Sequence, residues 1–151
     1  MENNIYNIED FNDFLRARQM GYLPLMDLKF KIPIKLRVEI QNSLFGKTSL
    51  SKGKIPVAND RFYHYVWNNK PHVCEETMAP LQGYSARFIS HILTKGAYPE
   101  MAHDPRNVNI LSLGAHQRWE DVNKRRGMRI YAKNMRIIEL LTSEYNLLRY
   151  E

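Results

Sequence analysis

Pro99 and Pro105 stand in the stretch TKGAYPEMAHDPRN (94–107), between two short apolar runs. Neither can sit inside a helix, because proline lacks a backbone N–H and its ring clashes with the preceding turn. The stretch therefore reads as a loop. The runs it joins, ARFISHIL (86–93) and VNILSL (108–113), read as strands, and Lys95-Gly96 closes the first. From residue 72 to about 114 the texture is short, β-like and turn-rich, unlike the helical patterns on either side.

Residues 8–20 read as a short amphipathic helix, with Ile8, Phe11, Phe14 and Leu15 at helical spacing and Gly21 as its stop. Pro24 and Pro33 make 22–34 extended or turn-rich. A second helix spans 34–45, stopped by Gly46, and the Gly-, Ser- and Lys-rich segment 46–57 reads as a linker. Asn59 or Asp60 caps a third helix that runs to about Lys70 and is ended by Pro71. AHQRWEDVNKRR (115–126) reads as a helix ending near Gly127. Residues 128–148 form a long amphipathic helix, with Ile130, Met135, Ile137, Ile138, Leu141, Tyr145 and Leu148 close to one face. The expected organisation is an N-terminal helical extension (1–57) and a second domain (58–151), of α+β class.

Composition narrows the partners. Lys and Arg number 22 against 16 Asp and Glu, a net charge of +6, which points weakly to a polyanion. No apolar run approaches the roughly 20 residues needed to span a bilayer, so no membrane partner is expected. The polar, acidic start MENNIYNIEDFNDFL predicts no secretory signal. The single cysteine, Cys74, excludes an internal disulfide and suggests a cytoplasmic setting. Oligomeric state is not legible.

The strand–loop–strand–helix order carries a chemical pattern. His91 sits late in the first strand, Asn107 opens the second, and His116 lies in the first turn of the helix. Two imidazoles and an amide on a hairpin and its adjoining helix can converge, and neutral imidazole is both a base near pH 7 and a metal ligand. Glu120 follows His116 by four residues, so both share a helix face and can chelate one divalent ion.

Residues 90–120, SHILTKGAYPEMAHDPRNVNILSLGAHQRWE, resemble the HNH (ββα-metal) endonucleases, most closely their phage and prophage type. The resemblance covers about a third of the chain. It implies a small ββα-metal core of hairpin and helix, flanked by N-terminal helices and the long C-terminal helix. It implies hydrolysis of phosphodiester bonds in nucleic acid, DNA above all. His91 would be the general base, Asn107 would orient it or hold the loop, and His116 with Glu120 would hold one divalent ion, Mg²⁺ or a transition metal. Arg87, Lys95, Arg106, Arg118, Lys124 and Arg125 would contact DNA.

Two departures bear on this. Many members carry a zinc knuckle built from two C-x-x-C pairs. Here the pairs become Cys74-Glu-Glu-Thr77 and Ser112-Leu-Gly-Ala115, so no structural zinc is expected, and Val73, Met78, Leu111 and Leu113 would hold the knuckle by packing. The residue before the strand histidine, a metal ligand in many members, is Ser90. The alternatives are a degenerate HNH-fold DNA-binding protein, or an interaction module that docks a protein through the apolar face of 130–148.

Overall fold

The computed structural model describes residues 6–46 and 57–150. Among the described residues the architecture is α+β, with five helices and two small two-stranded sheets. β1 (Tyr6–Asn7) pairs in parallel with β2 (Phe30–Lys31), and α1 (Phe11–Gln19) lies between them in sequence. Asp10 caps α1 by accepting from the Asp13 amide at 2.7 Å. Gly21 ends it with φ +87°. α2 (Ile34–Phe45) has the predicted bounds, because Gly46 closes it at φ +98° and donates to the Asn42 carbonyl. α3 (Val57–Asn69) begins before its predicted cap. Asn59 lies in its first turn, buried, and its side-chain oxygen accepts from the His103 ring at 2.5 Å. The linker expected over 46–57 lies, but for Gly46 and Val57, outside the described residues.

The predicted strands are there but shorter. β3 (Ile89–His91) pairs antiparallel with β4 (Val108–Ile110), with His91 opposite Val108. Residues 86–88 form a 3₁₀ turn whose Ser85 cap accepts from the Arg87 amide. The intervening loop carries two further 3₁₀ turns, each with one of the two prolines at its start. α4 (Leu113–Glu120) opens on Ser112, which accepts from the Ala115 amide.

α4 ends seven residues before the predicted stop at Gly127. Asp121 folds back on the Asn123 amide (2.9 Å), and the Arg125 side chain donates to the Trp119 carbonyl (2.8 Å). The Arg125 bond gives a terminal carbonyl a partner outside the helix, and the Asp121 side chain starts a turn in its place. α5 is Tyr131–Tyr150.

Two apolar clusters hold these elements together. One joins Phe14, Ile40, Phe62 and Val66 of the first three helices to Ile89, Val108 and Ile110 of the hairpin. The other joins Ile92, Leu93, Leu111 and Trp119 to Ile137 and Leu141 of α5, and takes in Ile34 from α2. Both clusters draw on residues before and after position 57. The α5 stripe packs within its own chain, with Ile137 and Leu141 buried and Met135 turned outward. Most of the face that motivated a docking module is thus covered, Met135 excepted. Among the described residues no helix is long and apolar enough to cross a membrane.

Three of the four positions compared with a knuckle meet in the fold. The Cys74 sulfur lies 3.6 Å from Ser112 Oγ and accepts from the Thr77 amide at 3.5 Å. Burial opposes ionisation of this thiol, but hydrogen bonds with Ser112 and Thr77 outweigh it and bring its pKa to about 7. Polar contacts fasten this segment to β4. Glu75 donates its amide to the Ile110 carbonyl (2.8 Å), and its carboxylate accepts from the Ile110 amide in return. Leu111 is buried as expected, whereas Met78 and Leu113 are exposed.

Candidate active site

α3, the hairpin and α4 enclose a cleft of about 880 Å³. His91, His116 and Glu120 line it, together with Arg87, Lys95 and Arg125. Six of the ten residues singled out in the sequence therefore share one cavity.

The two imidazoles are held by backbone carbonyls through different nitrogens. His91 Nε2 lies 2.8 Å from the Ala102 carbonyl. A carbonyl only accepts, so Nε2 carries the proton and Nδ1 is left with the lone pair. His116 Nδ1 lies 2.6 Å from the Arg87 carbonyl, so there Nε2 is left with the lone pair. A carbonyl partner of this kind orients metal-ligating histidines.

His116 Nε2 faces Glu120 Oε1 at 3.0 Å. A lone pair and a carboxylate oxygen at that distance require positive charge between them, either a proton or a metal ion. Adjacent donors on an octahedral ion with bonds near 2.1 Å are about 3 Å apart, so the pair suits a divalent cation. Among the described residues no third His, Cys, Asp or Glu joins them. Water and substrate oxygens would complete the coordination. Ser90 is buried, pairs with Asn109 across the hairpin and does not line the cleft.

Burial pushes His91 down to about 4, and the Lys95 charge acts in the same direction, while the Ala102 hydrogen bond opposes them. Burial likewise brings His103 to about 4. Both rings are neutral at pH 7. Unfolded histidine titrates near 6.5, so between about pH 6.5 and 4 the unfolded chain binds more protons. Stability is therefore complete above pH 6.5 and falls as pH drops towards 4, by roughly 3 kcal/mol for each ring. Urea unfolding at pH 7.5, 6, 5 and 4.5 will show this decline, and it will shrink in His103→Gln.

Asn107 lies beneath the cleft rather than in it. Its side-chain oxygen accepts from the Leu93 amide (2.8 Å), and its amide donates to the carbonyls of Leu93 (3.0 Å) and Met101 (3.1 Å). Of its two expected roles, these contacts are those of loop holding. No hydrogen bond joins it to His91; the Ala102 carbonyl, next to Met101, orients that ring.

Arg106, expected at DNA, lies outside this cleft and is mostly buried. It is 8% exposed and grips Asp104 at 2.7 Å and Glu144 at 2.7 and 3.0 Å, so its charge is taken up by two carboxylates of its own chain. Arg118 and Lys124 are exposed but lie outside the cleft. The sequence reading missed Tyr63 and Asn59, which α3 contributes to the cleft wall. The aromatic run RFYHYVW was the only local signal, and it reads equally as core. Compared with protein-family models, curated proteins and solved structures, the chain matches none.

Proposed function

We propose that the chain is a metal-dependent endonuclease of HNH type, with a ββα-metal core formed by β3, β4 and α4, that hydrolyses DNA phosphodiester bonds. The observation that carries this reading is the paired imidazoles in one basic cleft, each held by a carbonyl so that one ring can act as base and the other as ligand. Neutral His91 takes a proton from a water through Nδ1, the water oxygen attacks phosphorus, and the P–O3′ bond breaks to leave a 5′-phosphate and a 3′ oxygen that takes a proton from solvent. His116 and Glu120 are the residues that would hold a divalent ion. Such an ion supplies charge neutralisation at the scissile phosphate and the leaving 3′ oxygen, worth several kcal/mol. Arg87, Lys95 and Arg125 surround the phosphate, while Arg118 and Lys124 add attraction that weakens with salt.

A second reading is supported by Ser90 and by the lack of a third protein ligand: an HNH-type fold that binds DNA without cutting it. Incubation with supercoiled plasmid separates the two. Nicking that needs Mg²⁺ or Mn²⁺, stops with chelator and disappears in His116→Ala is the expected result. Salt-dependent binding with no nicking under any divalent ion would replace the first reading with the second.

A further inference from the structure

Two of the cleft's cations are pinned on aromatic rings. Lys95 Nζ donates to the Tyr63 hydroxyl at 3.1 Å and lies 5.8 Å from that ring's centroid. The Tyr63 ring also meets the His91 ring edge-on, at 6.1 Å and 66°. Arg125 lies with Cζ 4.2 Å from the centroid of the Trp119 ring, and its Nε donates to the Trp119 carbonyl at 2.8 Å. Trp119 is 1% exposed and cannot move aside. Among the described residues neither cation has a carboxylate within ion-pair distance, whereas Lys70, Arg106, Lys124 and Lys133 each have one.

We infer that Lys95 and Arg125 form the seat for one phosphodiester group in this cleft, and that Tyr63 and Trp119 are the positioning residues that fix them there. The inference rests on the nuclease reading and names the groups that grip its substrate. A free lysine or arginine loses rotamer freedom when it closes on a phosphate, which weakens binding. Cations already held by a ring and a hydrogen bond have lost that freedom on folding. Their planar or compact heads then meet the phosphate in a fixed geometry. Tyr63 acts through two neighbours at once, since it holds Lys95 by its hydroxyl and bounds His91 by its ring. The sequence gives Lys95 and Arg125 the same standing as Arg118 and Lys124. Pinning within the cleft separates them.

Tyr63→Phe removes only the hydroxyl, and Arg125→Lys keeps the charge but loses the flat guanidinium. Two measurements are made on each full-length variant, after thermal unfolding has verified an unchanged fold. One is plasmid nicking kinetics. The other is affinity for a fluorescent duplex oligonucleotide in chelator across a salt series. Each variant will lose about tenfold in kcat/KM. Each will also bind the duplex more weakly, with the salt slope of the wild type, because no charge has been removed. Wild-type kcat/KM and affinity in both variants would overturn the inference. If the wild type binds DNA but does not nick it, the nuclease reading fails and the affinity series still tests the seat. No DNA binding by the wild type overturns both, and inorganic phosphate binding in its place reassigns the seat to a small phosphate ester.

Discussion

Asp104→Ala will cost the fold roughly 3–5 kcal/mol, the loss expected when one partner of a buried ion pair is removed. Asp104 is wholly buried between two arginines. Arg37 Nη1 lies 3.2 Å away, and Arg106 approaches through Nη2 at 2.7 Å and through Nε at 3.1 and 3.2 Å. Burial alone would raise the Asp104 pKa, but the charges of Arg106 and Arg37 outweigh it and hold the carboxylate ionised. With Glu144 the cluster has two cations and two anions, so it is neutral as a group. Removing Asp104 leaves Arg37 buried with only the Leu25 carbonyl as hydrogen-bond partner among the described residues. Burial already brings the Arg37 pKa down to about 10 with Asp104 present. Urea unfolding at pH 7 measures the loss, and a change below 1 kcal/mol would mean that the cluster relaxes without it. Glu144→Gln will cost much less, because Glu144 is partly exposed and Arg106 keeps Asp104.

This cluster also links the N-terminal helices to the proposed chemistry. Arg37 comes from α2, while Asp104 follows by two residues the carbonyl that orients His91. A charge on a helix far from the cleft in sequence thus fixes the loop on which the base depends. Asp104→Ala is expected to loosen His91 as well as the fold.

The sequence carried the hairpin and its helix because their signals are local. Two prolines enforce the loop, Gly46 stops α2, and the intervals from His91 to Asn107 to His116 survive in the strand–strand–helix order. What escaped it was long-range. Arg106 reads as a surface cation beside a turn, and its carboxylate partners draw it inward: Glu144 from α5, and Asp104, which Arg37 of α2 also grips. Tyr63 reads as core, and only the approach of α3 to β3 puts it beside Lys95. The early end of α4 was nearly legible, since Asp121 and Asn123 compete for backbone groups within EDVN. The spacing that suggested a knuckle brings Cys74 and Ser112 together, but what ties this segment to β4 is Glu75, a residue the cysteine pattern treats as filler.

His91→Ala will lower kcat for DNA nicking by roughly 10²–10⁴-fold, the usual contribution of a positioned general base. The ring is placed by its Nε2 bond to the Ala102 carbonyl and packs near Phe62 and Tyr63, so truncation to alanine also leaves a small void. His91→Gln refills the space and cannot take the proton; it will keep most of the melting temperature and still lose kcat. The low pKa of this ring in the free protein keeps it unprotonated but makes it a weak base. After burial, Lys95 is the first of the charges that lower it, and a phosphate bound at Lys95 offsets that charge. Substrate binding would then raise the basicity of His91 at the moment it is needed, so Lys95→Met will lower kcat less than KM rises. His116→Ala, in contrast, will abolish the dependence on added divalent ion together with the nicking. A His91→Gln protein that nicks plasmid at the wild-type rate would remove His91 from the chemistry, whatever the other variants do.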